Sequence, residues 1–412
     1  MTLASDHPAN HATRRDRPGR PPSRLADPLV RRLRPYTTTI FAEMSALADA
    51  TGAINLGQGF PDTDGPDSLL AAARQAISDG VNQYPPGPGI PALRQAIAAA
   101  RLRDHGQRFD PDTEVLVTVG ATEALAAAVL GLCEPGDEVL MLEPHYDSYP
   151  PIVAMAGGTH RSVPLRPDAT GRFALDVDEL AGAVSPRTRL LILNSPHNPT
   201  GTVLTRSELA GIAAVAVDHD LIVLTDEVYE YLVYDDAVHL PIAMFDGMAP
   251  RTVTISSAGK TFNATGWKIG WACGPAPLIA AVRAAKQFLT YVGGAPFQPA
   301  VAQALYDEMD WVARLRTGLQ GKRDRLCAGL TAAGFGVYRP QGSYFVMTDI
   351  RPLGAGDGMR FCLDLPARAG VVAVPDEVFH DDPLDGKPFV RFAFCKRDDV
   401  IDEAVRRLSG MR

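Results

Sequence analysis

Residues 189–226 read RLLILNSPHNPTGTVLTRSELAGIAAVAVDHDLIVLTD, and the architecture follows from how this stretch is punctuated. Near each end lies a short run with almost no polar interruption, 190–193 and 221–224, rich in Leu, Ile and Val. Such runs suit strands buried on both faces, the situation of a parallel sheet covered by helices. Between them, Thr205 followed three residues later by Glu208 is a capping-box pattern that opens a helix over 205–219. Strand, helix and strand in succession predict an α/β unit with a mostly parallel sheet.

The same alternation extends outward. Strands are expected at 114–119, 138–142, 189–194, 221–225 and 252–255, with a helix at 121–133 between the first two. Upstream, 67–80 and 91–106 read as helices joined by a Pro/Gly loop containing Tyr84. Downstream, 276–289 and 300–333 read as helical, followed by short strands at 343–348 and 389–394 and a last helix from Asp398. A chain of 412 residues exceeds the size at which one core stops growing, so two packed units are expected. They are a large α/β domain and a smaller α+β domain drawn mainly from the C-terminal third.

Composition narrows the class. With 46% apolar and 21% charged residues the chain is an ordinary soluble globular protein. The first 34 residues carry eight Arg against three Asp and little apolar clustering, which reads as a disordered tail. Arg14-Arg15 is not followed by an apolar run, which argues against an export signal, and Asp6, Asp16 and Asp27 argue against a transit peptide. The remainder carries 32 Lys and Arg against 45 Asp and Glu, an acidic body that gives no support to nucleic-acid binding. No apolar run approaches the roughly 20 residues of a membrane span. The five cysteines (Cys133, Cys273, Cys327, Cys362, Cys395) are scattered and form no CxxC pair. That suits a reducing, cytoplasmic compartment and argues against a disulfide framework and a zinc site, so no metal is expected.

The chemistry-bearing residues cluster where an α/β sheet binds ligands, beyond the carboxyl ends of its strands. Residues 256–268, SSAGKTFNATGWK, follow the strand 252–255 and set Lys260 and Lys268 on a Ser/Gly-rich turn. A lysine amine held near a carbonyl with a depressed pKa is a covalent catalyst. Hydroxyls, backbone N–H groups and a second lysine hold a phosphate. A Schiff-base lysine beside a phosphate site is what a pyridoxal phosphate (PLP) enzyme requires. Taken alone, the stretch is equally a solvated loop. Its company gives it meaning: Gly120-Ala121-Thr122 opens a helix after Val119, Asn198 lies just past the strand 189–194, and Asp226 immediately follows the strand 221–225 with Tyr229 three residues on.

Five motifs in order carry a resemblance: NLGQGFPD (55–62), NSPHNPTG (194–201), DEVY (226–229), the lysine stretch and VRF (390–392). Over about residues 35–412 the chain resembles the fold type I PLP-dependent aminotransferases of class I/II. Within them it is most similar to the branch of kynurenine/glutamine transaminases and N-succinyldiaminopimelate aminotransferases. The resemblance implies a large domain with a mostly parallel seven-stranded sheet flanked by helices, plus a smaller α+β domain. The corresponding division is a tail at 1–34, an N-terminal arm and part of the small domain at 35–66, the PLP-binding domain at 67–304 and the small domain at 305–412.

It also implies roles. Lys260 resembles the lysine that carries PLP as a Schiff base and moves the proton, and Asp226 the partner of the pyridine nitrogen. Asn198 and Tyr229 match the donors to the 3′-oxygen, and Tyr146 the ring stacked on the pyridine. Ala121, Thr122, Ser257 and Lys268 match the phosphate set. Tyr84 resembles a tyrosine contributed by the other subunit, which implies a homodimer with shared active sites. Arg391 and Gly59 match the donors to the substrate α-carboxylate, while Phe41 and Tyr291 fall where relatives place aromatic side chains around the substrate. The implied activity is ping-pong transfer of an amino group from an L-amino acid to a 2-oxo acid. N-succinyl-L,L-diaminopimelate with 2-oxoglutarate is the first substrate pair. A kynurenine/glutamine/methionine-type transaminase or a cysteine-conjugate β-lyase is the alternative.

Overall fold

The structure, a computed structural model, describes residues 28–411. Most of the expected tail, residues 1–27, lies outside the described residues; inside them, Arg31–Tyr36 forms a short 3-10 helix.

In chain order the strands are β1 (Ile54–Asn55), β2 (Val115–Val119), β3 (Glu138–Glu143), β4 (Thr159–Pro167), β5 (Phe173–Leu175), β6 (Thr188–Asn194) and β7 (Ile222–Asp226), then β8 (Thr252–Ser257), β9 (Ile269–Cys273), β10 (Gly336–Tyr338), β11 (Phe345–Asp349), β12 (Val371–Val372), β13 (Val374–Pro375) and β14 (Phe389–Ala393). The large sheet runs β2-β9-β8-β7-β6-β3-β4-β5. β8, β7, β6, β3 and β4 are mutually parallel, while β9 is antiparallel to both its neighbours, so β2 points the same way as β8. Six strands therefore finish at one edge. The seven strands expected from the family are β2 to β4 and β6 to β9; an eighth, β5, adds three residues antiparallel to β4 at the rim.

The stretch 189–226 folds as its pattern requires. Leu190 and Ile192 belong to the core on one face of the sheet and Leu191 and Leu193 to the core on the other, all four buried. The intervening helix is Arg206–Asp218, with the Thr205 hydroxyl accepting from the Glu208 N–H and the Glu208 carboxylate accepting from the Thr205 N–H. Register sets Asn194, Asp226 and Ile255 side by side on β6, β7 and β8.

A second, antiparallel sheet runs β10-β11-β14-β13, and β1 pairs with β12, so the N-terminal segment joins the C-terminal third. The expected helix 300–333 is two helices, Phe297–Asp307 and Met309–Ala332, parted at Glu308. They serve different layers: the first packs on Asp67–Ser78 and Pro91–His105, the second on Asp398–Ser409. Among the described residues no helix is long and apolar enough to cross a membrane.

Candidate active site

A cleft of about 310 Å³ opens at the shared strand edge, against β11 and β14 of the smaller sheet. Lys260 projects into it from a four-residue helix, Ala258–Thr261, that starts directly after β8. Its Nζ donates to Tyr344 Oη at 2.7 Å, and Tyr344 Oη donates to Gly59 O at 2.5 Å. Burial of the amine, with Lys268 and Arg391 nearby, lowers the Lys260 pKa to about 8, against the opposing pull of Cys395 and Asp226. A substantial fraction is thus neutral near physiological pH, the form that acts as nucleophile and base.

Asp226 ends β7 with its carboxylate buried. Tyr149 Oη donates to its Oδ2 at 2.9 Å and the Val228 N–H to its Oδ1 at 3.3 Å. Burial raises its pKa to about 6 despite those two hydrogen bonds and Lys260. A buried carboxylate so placed is most stable as an anion when a cation is brought to it. Tyr146 lines the cleft and packs edge-on against Tyr149, ring centroids 5.6 Å apart. Tyr229 is buried, its ring edge-on to Tyr344 at 5.1 Å, and burial pushes its hydroxyl pKa up.

Ala121 and Thr122 stand in the first turn of the helix Gly120–Leu132, where unpaired N–H groups and the helix dipole favour an anion. Ser257 and Lys268 line the same end of the cleft. Gly120 has φ +73°, and a Cβ there would stand 3.1 Å from Lys268 Nζ, so glycine lets the ammonium lie over the helix start.

Arg391, on β14, is 1% exposed. Nη1 donates to Asn198 Oδ1 and Nη2 to Gly57 O, each at 2.9 Å, while Nε has no partner. Because arginine only donates, the Asn198 oxygen faces it and the amide N–H group turns away. Phe345, Phe41 and Phe379 surround the guanidinium, with centroids 4.1, 5.1 and 5.2 Å from Cζ. Burial lowers its pKa. Among the described residues no carboxylate pairs with it, so a carboxylate ligand would complete it. Gly59 lines the cleft beside it, and a Cβ there would fall 2.3 Å from Phe345 Cζ.

The cleft thus brings together Lys260, Asp226, Tyr229, Asn198, Tyr146, Ala121, Thr122, Ser257, Lys268, Gly59, Phe41 and Arg391. It does not include Tyr84 or Tyr291, which pack on each other with centroids 5.5 Å apart and are 82% and 52% exposed. Several contacts escaped sequence reasoning. Tyr149 holds Asp226 and Tyr344 holds Lys260, contacts that no motif in the sequence announces. Asn194 accepts from the Asn198 N–H and donates to Asp226 O, tying the two loops together. Behind the site Arg101 pairs with Glu227 at 2.7 Å and with Glu230, whose other oxygen accepts from Ser256 Oγ at 2.6 Å. That buried network braces the turn after Asp226 against the strand leading to Lys260.

Residues 51–408 match the family "Aminotransferase class I and II". Over 389 residues, 92% of this chain and 98% of the relative, the chain is 64% identical to the "Probable N-succinyldiaminopimelate aminotransferase" of Mycobacterium tuberculosis (strain ATCC 25618 / H37Rv). It is 39% identical over 371 residues, 90% of this chain and 95% of the relative, to the methionine aminotransferase of Escherichia coli (strain K12). The solved structure of N-succinyldiaminopimelate aminotransferase from Mycobacterium tuberculosis superposes with a TM-score of 0.92 at 64% identity, covering 93% of this chain and 100% of that one. With a cleft that sets a lysine amine, a buried carboxylate and a buried arginine on a fold type I framework, the chain belongs to the aminotransferase class I and II family and is an enzyme that transfers amino groups.

Proposed function

We propose that the enzyme binds PLP and transfers the amino group of N-succinyl-L,L-diaminopimelate to 2-oxoglutarate, as a cytoplasmic homodimer with shared active sites. When bound, PLP supplies an aldehyde carbon that captures amines and a pyridinium ring that takes up electrons from a breaking Cα–H bond. The residues present fit that group. Asp226, buried and with no ion pair among the described residues, holds a proton at the ring nitrogen. Ala121, Thr122, Ser257 and Lys268 bind the phosphate, Asn198 and Tyr229 donate to the 3′-oxygen, and Tyr146 stacks on the ring.

Lys260 anchors the cofactor and, once released, its neutral amine takes the proton from the substrate Cα and returns it. Tyr344, within hydrogen-bond reach of Lys260, orients that amine. Arg391 and the Gly59 backbone bind the α-carboxylate, with Phe41 beside it. The donor leaves as a 2-oxo acid before the acceptor enters, so both half-reactions use one site. In this reading 67–304 holds the cofactor, while 35–66 and 305–412 contribute the carboxylate site. The exposed Tyr84–Tyr291 pair is presented to the partner subunit's cleft. Five free cysteines, all buried, support the reducing compartment.

The observation that carries the chemistry is Arg391, a buried guanidinium with an open Nε beside a lysine of lowered pKa. The choice of donor rests on the 64% identity to the mycobacterial relative. A donor panel run on PLP-loaded protein with 2-oxoglutarate tests it. The succinylated donor should exceed methionine and kynurenine in kcat/KM by at least an order of magnitude. Turnover of methionine or kynurenine with none of the succinylated donor would overturn the substrate. Pyruvate and ammonia released from a cysteine conjugate without an acceptor would identify a lyase instead.

A further inference from the structure

Three side chains outside the cleft converge without forming a closed hydrogen-bonded set. His145 follows β3, one residue before the cleft-lining Tyr146; His160 lies on β4; Asp381 follows the 3-10 helix Asp376–Phe379. Their donor atoms all lie within 4.8 Å of one another. His160 Nε2 is 2.7 Å from Asp381 Oδ1, and His145 Nε2 is 3.5 Å from the same oxygen. The His145 side chain is 6% exposed, and neither ring nitrogen has a hydrogen-bond partner. Ser162, two residues beyond His160 on the same strand, also has a buried hydroxyl without a partner, and it stands near enough to influence the Asp381 carboxyl.

A buried imidazole with no partner at Nδ1 and only a carboxylate 3.5 Å from Nε2 is costly unless something fills its coordination. The outer members supply an entry path, since the Asp381 and His160 side chains are 42% and 25% exposed. Two imidazoles and a carboxylate form a borderline donor set that suits zinc-like transition cations, whereas magnesium and calcium favour all-oxygen sites. Bonds of about 2.0–2.2 Å in a tetrahedron place donors roughly 3.3 Å apart, so the 2.7 Å pair opens slightly and the widest pair closes by at most about 1.5 Å to take one ion.

The other buried cluster of this type, Glu227, Glu230 and His239, already holds the Arg101 guanidinium between its carboxylates. We propose that His145, His160 and Asp381 form a binding site for a divalent transition cation of the zinc class, with the fourth position left to water or Ser162. The cysteine pattern pointed away from zinc, and these three residues share no sequence spacing that would announce a site. The ion would pin the loop carrying Tyr146 to the segment carrying Phe379, which already touch through the His145 N–H and Phe379 O at 2.8 Å. Phe379 is one of the rings around Arg391.

The test is a titration of PLP-loaded, dialysed, untagged full-length enzyme with cobalt(II), followed by visible ligand-field absorption and calorimetry. His160→Gln and Asp381→Asn are compared with the wild type; both positions are partly exposed and leave the core intact. One cobalt per chain with a tetrahedral-type band is expected, displaced by zinc and not by calcium. Each substitution should weaken binding by at least about 100-fold, the upper end of what losing a residue behind a metal ligand does. Far-UV circular dichroism of each variant must match the wild type. His7 and His11 are common to all three proteins, so binding that survives both substitutions belongs elsewhere and overturns the site. Absence of the band in the wild type overturns it equally.

Discussion

Replacing Arg391 by lysine keeps a positive charge and removes the fork. Nη1 and Nη2 are already committed to Asn198 Oδ1 and Gly57 O, each at 2.9 Å, and Nε is open. A carboxylate meeting the guanidinium edge takes two N–H groups in fixed geometry, whereas an ammonium on its flexible stem offers a point charge. Losing one charge-assisted hydrogen bond, on the order of 1.5–3 kcal/mol, lowers kcat/KM roughly 10- to 150-fold at about 1.4 kcal/mol per decade. The buried Asn198 oxygen also loses a donor, adding ~1–3 kcal/mol where no water replaces it. The loss falls mainly on KM if the carboxylate is held equally before and during reaction. It applies to every donor and every oxo acid, because all of them carry this carboxylate. Steady-state kinetics with two donors and two acceptors, alongside the PLP absorbance band, measures it. Wild-type kcat/KM for all four substrates would refute the assignment. A loss confined to one of them would instead place Arg391 in side-chain recognition.

Lys260→Ala should abolish the visible absorbance change on adding PLP and reduce turnover by at least about 10⁴, since the proposed covalent anchor and general base would disappear together; wild-type turnover would sink the role. Asp226 has its pKa raised from 3.8 to about 6 by burial. A carboxyl with a folded-state pKa above its unfolded value contributes stability below pH ~4 that is lost as pH rises through ~6, about 3 kcal/mol for such a shift. Cofactor-free Asp226→Asn should therefore show a flatter Tm profile between those pH values and a higher Tm than cofactor-free wild type at pH 7. Thermal scans showing parallel profiles would contradict that. Thr205→Ala removes the capping box from Arg206–Asp218 and should cost about 0.5–2 kcal/mol of stability by denaturant titration, with kcat and KM unchanged.

The parallel core of the sheet was legible because its strands are buried on both faces and read as unbroken apolar runs, as at 190–193 and 221–224. Strands outside that run were not. β4 opens with alternating exposed and half-buried residues before Val163 and Leu165 reach the core, and β9 carries Gly270 and takes its place only by pairing with β2 and β8. The break at Glu308 has no glycine or proline to announce it; each helix follows the layer it packs against. Within the site, Lys260, Asp226, Asn198 and Arg391 were legible through motifs at strand ends. Tyr149, Tyr344 and Arg101 were not, because each acts through a partner more than 75 positions away in the chain.

The side-by-side register of Asn194, Asp226 and Ile255 gives the sheet interior a part in the chemistry. A slip of one residue in β7 would carry Asp226 about 3.3 Å along the strand and turn it to the opposite face. Leu224 and Val223, locked into cores on opposite faces, are what oppose that slip. Substitutions deep in this sheet are therefore alignment changes as well as stability changes. An apolar variant that folds normally but loses turnover would have shifted the spacing between carboxylate and lysine without touching either.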